Sequence, residues 1–225
     1  FLDDFNIKKI IKKLKTKNYF TYGFHKNANY QICKVRYETN HTKFDLKIKN
    51  VGSKKLYIKN IFLNLIGRHN VHNATAAVAL CLNLGLKENI IKKALKNFSG
   101  VQRRLTKVFN KNKIEFYDDY AHHPTEIKSV LEGIRIIAPD RKIISVFQPH
   151  RYSRIKSLKL EFASCFKNCD QVILCPVYPA GEPIDKKYNT KRFAKLILKF
   201  SKAQVILIKN ESDLAKYFRK NLIKD

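Results

Sequence analysis

The chain contains no Met and no Trp, only 7 Gly and 6 Pro in 225 residues, and 18 acidic side chains against 46 Lys and Arg. Each scarcity excludes something. A chain that starts at Phe1 without any Met is expected to be a processed chain or a fragment, not an unprocessed translation product. So little Gly and Pro excludes collagen-like and low-complexity linker sequence. No apolar run reaches the ~20 residues that a spanning helix needs, and the N-terminus carries no secretory signal, so a soluble, cytoplasmic chain without a membrane partner is expected. The 5 Cys (Cys33, Cys81, Cys165, Cys169, Cys175) are odd in number and form no CxxC pair. Reduced thiols are therefore expected, with no metal site, and the spacing of Cys165 and Cys169 on one helix is a weak signal without a second pair.

What is present is globular: 44% apolar and 12% aromatic residues, a composition able to build a core. The net charge of +28 invites a nucleic-acid reading. Lys is spread along the whole chain, however, with no stripe or tail, so a solvated basic surface is the stronger reading and no nucleic-acid partner is expected.

Periodicity gives the organisation. "FNIKKIIKKLKTK" has Ile7, Ile10, Ile11 and Leu14 at helical spacing, which predicts an amphipathic helix. "YFTYGF", "YQICKVRYE", "KFDLKIKN" and "KLYIKNIFLNL" read as short strands, rich in β-branched and aromatic residues. "HNATAAVALCLNLG" predicts a small-residue helix ended by Gly85, and "KENIIKKALKNF" a second helix. "SGVQRRL" breaks both periods and reads as a link. Beyond it "KIEFYDDY", "KIISVFQ", "QVILCPVY" and "AQVILIK" read as strands. They alternate with helices in "HPTEIKSVLEGIRIIA", "SLKLEFASCFKNC", "TKRFAKLILKFS" and "SDLAKYFRKNLI", which predicts a parallel, doubly wound α/β sheet. The expected division is residues 1–99 and 100–225.

In such sheets ligands bind beyond the carboxyl ends of the strands. "DDYAHHPTE", "QPHRYSR" and "VYPAGEPI" each follow a strand directly. The first holds Asp118, Asp119, Tyr120 and His122. Its bland reading is a helix start, with Pro124 and Glu126 in the first turn; its functional reading is carboxylates that accept ribose hydroxyls or hold Mg²⁺ through water. Adjacent His122 and His123 diverge, which argues against one metal bound by both. In the second, Arg151 and Arg154 lie three apart, as on one face of a helical turn, and suit a carboxylate or phosphate. Asn70 and Asn73 in "GRHNVHNATAAVA" either cap a helix or read a nucleobase edge. Arg103 and Arg104 reach a phosphate or are linker charges.

Together "GRHNVHNATAAVA", "SGVQRRL", "DDYAHHPTEI", "FQPHRYSR" and "VYPAGEPI" resemble the Mur ligase family, on the branch that joins L-alanine to UDP-N-acetylmuramate. "FQPHRYSR" separates the chain from the tripeptide-recycling branch, which shares "HHPT". The resemblance implies part of a central ATPase domain (mixed strands plus helices) over 1–99, and a Rossmann-like C-terminal domain with a mainly parallel sheet over 100–225. It implies an ATP-dependent ligase acting through an acyl phosphate, with ATP and Mg²⁺ as cofactors, UDP-N-acetylmuramate and L-alanine as substrates, and no obligate protein partner. It implies that Asn70 and Asn73 meet the adenine, Arg103 or Arg104 the phosphates, and Asp118 or Asp119 the ribose. Tyr120 and His122 would form the amino-acid site, with Arg151 and Arg154 on the L-alanine carboxylate or nearby substrate charge.

The chain also departs from the family pattern. It has no GxxxxGK[ST] phosphate loop, none of the central acidic and His groups that hold Mg²⁺, no uridine-binding domain and no final strand. A fragment that alone does not catalyse ligation is therefore expected. The rival readings are a non-catalytic nucleotide-binding remnant, a basic nucleic-acid-binding protein, and a metal-dependent hydrolase built on Asp118, Asp119, His122 and His123.

Overall fold

The computed structural model describes residues 1–16, 18–38, 40–49, 56–111 and 113–221, and the statements below concern these. Two compact units divide the chain, Phe1–Gly100 and Val101–Asp225.

The first unit opens with α1 (Phe5–Ile11), capped by Asp4, whose side chain accepts from the Ile7 amide at 2.9 Å. A four-stranded sheet follows in the order β1 (Tyr22–Gly23), β2 (Tyr30–Tyr37), β3 (Thr42–Ile48) and β4 (Leu56–Leu63). β1 runs parallel to β2, and the rest is an antiparallel meander. Alternation in β3 sends Thr42, Phe44, Leu46 and Ile48 inward, as a strand with one buried face requires. A register shift between Phe44 and Leu46 buries Asp45 as well. Its carboxylate is satisfied by the Tyr57 hydroxyl and the Asn60 amide, each at 2.8 Å. Two helices, α2 (Arg68–Asn83) and α3 (Glu88–Asn97), close this core through Val71, Val78 and Ile91.

Two expectations need correction here. "YFTYGF" yields only two strand residues, because the Asp3 carboxylate takes the amides of Phe24 and His25, each at 2.8 Å, and so ends the ladder. Asn70 and Asn73 are not caps. The helix starts earlier, after Gly67 at φ +100°, which leaves both inside its first two turns.

The second unit begins with β5 (Thr106–Lys111) and β6 (Ile114–Asp118), an antiparallel pair forming its own two-stranded sheet. Next come α4 (Pro124–Ile137), β7 (Ile144–Phe147), α5 (Tyr152–Ser157), α6 (Lys159–Ser164), β8 (Gln171–Leu174), α7 (Thr190–Ser201), β9 (Gln204–Leu207) and α8 (Glu211–Asn221). β7, β8 and β9 form a parallel sheet in that order. The central β8 is buried at all four positions, the mark of a parallel strand covered on both faces. Phe147, Phe162, Phe166, Phe193 and Ile197 pack around it, each burial contributing about 1.5–3 kcal/mol.

The expected α/β alternation and parallel sheet are present, with two differences. Among the described residues the "KIEFYDDY" strand pairs with β5 and not with the parallel sheet. Of the helix expected over "SLKLEFASCFKNC" only Lys159–Ser164 forms one; α5 ends at the first residue of that stretch, and Leu158 separates the two helices by leaving helical geometry (φ −116°, ψ 32°) while its side chain packs on the core.

Candidate functional site

The exit of β6 is tied down by one side chain. The two carboxylate oxygens of Asp119 accept from the amides of Leu105 (2.8 Å) and Ala121 (2.7 Å), and the Tyr120 amide donates to the Arg103 carbonyl at 2.8 Å. Asp119 is thus a backbone staple. Asp118 remains half-exposed, with Oδ2 3.4 Å from Nε of Arg103. The Arg103 guanidinium also lies over the Tyr120 ring, 4.6 Å from its centroid.

The next turn starts α4. The His123 side chain accepts from the Thr125 amide at 3.3 Å, and Glu126 Oε2 accepts from the amides of His122 and His123, both at 3.1 Å. This reciprocal arrangement is a capping box with Pro124 inside the first turn. Burial opposes ionisation of Glu126, but the two amides, His122 and Arg104 outweigh it and hold the carboxyl below its usual range. Arg104 approaches Glu126 Oε1 at 3.8 Å. The helix-start reading is therefore right for His123 and Glu126, and of His122 only the backbone amide takes part in it.

His122 Nδ1 sits 3.0 Å from the Tyr120 carbonyl oxygen. A carbonyl only accepts, so Nδ1 carries the proton, and in the neutral ring Nε2 offers a lone pair. The His122 ring is 5.2 Å from Tyr120 and 6.0 Å from His150. His150 comes from the exit of β7 and lies 5.5 Å from Tyr178, which comes from the exit of β8. Backbone pairing joins these two exits: the Tyr178 amide donates to the Pro149 carbonyl at 2.8 Å, and the Arg151 amide to the Tyr178 carbonyl at 2.9 Å. Three strand exits thus meet in one Tyr–His–His–Tyr row, flanked by Arg151 and Arg154.

Arg154 Nη1 stands 3.4 Å from His150 Nδ1. Since guanidinium only donates, His150 Nδ1 is an acceptor and the ring neutral, with its proton on Nε2. Burial, then the charges of Arg154, Arg151 and His122, pull the His150 titration below its ordinary value, with Glu182 opposing. Arg151 is not on the helix as its spacing suggested; it is the N-cap residue of α5, in a left-handed conformation at φ +70°. Arg154 is the third residue of α5.

In the first unit, the Asn70 side-chain amide donates to the Ile66 carbonyl at 2.7 Å, and Asn73, one turn on, is exposed. Of the two, Asn73 has the amide open to a ligand. No group of three or more His, Cys, Asp or Glu side chains able to hold a cation occurs among the described residues. The hydrolase reading also loses Asp119 to backbone amides and His123 to a helix cap. No helix among the described residues is long and apolar enough to cross a membrane.

Residues 103–224 match the family model described as Mur ligase, glutamate ligase domain, and residues 1–81 match that of the Mur ligase middle domain. The chain belongs to the Mur ligase family. Among Mur ligase relatives it is 46% identical over 221 residues to the UDP-N-acetylmuramate–L-alanine ligase of Pelagibacter ubique, covering 98% of this chain and 48% of the relative. It is 42% identical over 186 residues to the ligase of the same name from Agrobacterium fabrum, covering 82% and 39%. The crystal structure of UDP-N-acetylmuramate-alanine ligase from Thermotoga maritima superposes with a TM-score of 0.68 at 27% identity, over 92% of this chain and 42% of that one. A murein peptide ligase from Psychrobacter arcticus, at 20% identity and TM-score 0.61, shares the fold. The chain spans about half the length of the first of these curated relatives.

Within this Mur ligase chain, the sequence-predicted Tyr120, His122 and Arg154 lie in the row of side chains at the three strand exits or contact it, and Arg151 lies on the turn bearing it. Arg103 and Asp118 pair at its edge, while Arg104 turns to Glu126. Asn70 and Asn73 lie on α2 in the other unit. Sequence reasoning missed His150 and Tyr178, which complete the row, and the neighbouring Ser153 and Glu182. All four lie in "FQPHRYSR" and "VYPAGEPI", so the strand-end argument, applied residue by residue, would have found them.

Proposed function

We propose that the chain serves ATP-dependent ligation of L-alanine to UDP-N-acetylmuramate in cytoplasmic peptidoglycan precursor synthesis. The observation that carries this reading is the convergence of Tyr120, His122, His150 and Tyr178 from three strand exits, beside Arg151 and Arg154. The guanidinium groups suit the amino-acid carboxylate, which a planar fork holds by two parallel hydrogen bonds. The Nε2 lone pair of His122 suits the ammonium group, whose proton must leave before the amine attacks an acyl phosphate. Neutral His150, with its proton on Nε2, suits an oxyanion of the same substrate. For ATP, the half-exposed Asp118 fits the ribose hydroxyls and Arg103 the phosphates, whereas Asp119 is already committed to backbone amides. Asn73 suits the adenine edge. ATP supplies the phosphoryl group that activates the muramyl carboxylate.

The test is kinetic, in the native polypeptide. Arg151→Ala should raise the KM for L-alanine roughly 10- to 100-fold, as loss of a charge-assisted pair implies, and His122→Ala should depress kcat more than KM. Near-normal kinetics in both variants, or no L-alanine-dependent ATP hydrolysis in the native polypeptide, would overturn the reading.

A further inference from the structure

Glu182 lies in "VYPAGEPI", on the turn after β8, and none of the roles above uses it. The turn is tight. Ala180 and Gly181 are both left-handed (φ +51° and +86°), and the Glu182 amide closes it on the Pro179 carbonyl at 3.1 Å. The carboxylate reaches across to the first turn of α5. Oε2 accepts from the Ser153 amide at 3.1 Å, and Oε1 accepts from the Ser153 hydroxyl. These bonds to Ser153, then the Tyr152 amide and the Arg151 charge, hold the Glu182 carboxyl below its usual range.

Each oxygen is thus engaged by α5. What Glu182 holds is informative. Ser153 stands between Arg151, whose left-handed backbone is costly for a residue with a Cβ, and Arg154, which donates to His150. A conformation of this kind persists only where its surroundings over-determine it. The Arg151 amide bond to Tyr178 is one such restraint, and the Glu182–Ser153 pair is the second.

We infer that Glu182 is a positioning residue for the amino-acid site: through Ser153 it fixes the turn that carries Arg151 and Arg154, and so sets their grip on the L-alanine carboxylate. This rests on the functional reading above. It also gives the "VYPAGEPI" motif a role distinct from ligand contact.

A measurement that needs no turnover separates positioning from simple charge. His150 faces Arg151 and Arg154 from its own segment, His122 and Glu182 from the neighbouring exits, and the Tyr178 ring. If Glu182 acts only through space, Glu182→Gln removes a nearby negative charge and the His150 titration falls further. If Glu182 positions the arginines, its loss lets them swing away and the titration rises toward the ordinary value. We expect a rise, followed by NMR of the imidazole in the 225-residue chain. Ser153→Ala, which leaves the Glu182 charge in place, should give a smaller rise, and Glu182→Asp should fall between wild type and Gln.

L-alanine titration, read at the Arg151 and Arg154 side-chain Nε resonances, should then show roughly tenfold weaker binding in Glu182→Gln. A His150 titration that falls or stays fixed in Glu182→Gln overturns the positioning role, as does unchanged L-alanine binding. A rise in the His150 titration, with wild-type Arg151 and Arg154 silent to L-alanine, keeps the brace and sinks the functional reading instead. Should Glu182→Gln fail to fold, Ser153→Ala alone decides the matter by the same rise or its absence.

Discussion

At the scale of single residues, burial decides what titrates. His72 lies between the rings of Phe1 (4.4 Å) and Phe24 (5.2 Å), with Nε2 3.4 Å from Asp3 Oδ2. Burial dominates, Asp3 opposes it and Arg68 reinforces it, and the titration is pulled to about 4. A histidine whose folded value lies below its unfolded value of about 6.5 binds its proton more readily when unfolded. Its neutral form therefore stabilises the fold fully above about pH 6.5, and that contribution is lost as pH falls toward 4. The loss amounts to roughly 3 kcal/mol at most. Urea midpoints at pH 7.5, 5.5 and 4 should show His72→Leu losing less stability over this range than wild type; equal losses would count against the assignment. Sequence alone does not foresee this, because "GRHNVHNATAAVA" shows His72 near a helix start and says nothing of two Phe rings around it. The same blindness leaves Asp118 and Asp119 as equal candidates: adjacency in sequence hides that one faces solvent and the other faces two amides.

At the scale of elements, glycines separate backbone strain from close approach. A Cβ on Gly23 (φ +141°) would lie 2.7 Å from Asp3 Oδ2, whereas one on Gly85 (φ +84°) meets nothing within 4 Å. Gly85→Ala should cost only the left-handed strain, about 1–2 kcal/mol. Gly23→Ala should cost more, roughly another 1–3 kcal/mol, because displaced Asp3 leaves the Phe24 and His25 amides without their acceptor. The order of the two urea midpoints checks this, and equal values would mean that the Asp3 bonds hold nothing. Elements are legible in the sequence where one period dominates: β2, β4, α3 and α7 fall within the quoted stretches, and β3 and α8 begin one residue before theirs. Sequence and structure part where tertiary contacts override period. Asp3 shortens β1 from far along the chain, 21 residues before Phe24. Leu158 leaves the helix to reach the core. The β5–β6 pairing is hidden because "TKVFNK" carries too weak an alternation to stand out as a strand. Strand-end placement of Tyr120, His122 and Arg154 assumes one parallel sheet, whereas β6, which leads into the first two, pairs with β5 instead.

At the scale of the whole molecule, the charge of +28 outweighs every other electrostatic feature. Most Lys side chains on the described helices are exposed, and the pairs formed are sparse and surface-lying, such as Lys107 with Glu115 and Lys128 with Glu132. Such pairs contribute about 0–1 kcal/mol each. A diffuse field of this kind attracts polyanions without reading them. On immobilised DNA the chain should be retained at low salt and released as counterions compete. Retention well above physiological salt would instead point to a built nucleic-acid surface and revive that rival.

The two sheets differ in when they can form. In the first unit, β2, β3 and β4 pair with their neighbours in sequence, so few residues must be synthesised between one strand and its partner. In the second, each parallel pairing waits for a helix-bearing crossover. The meander can therefore close while the rest of the chain is still emerging from the ribosome. The row of side chains at the strand exits assembles only after β8 has found its place, which makes the site one of the last features of the molecule to exist.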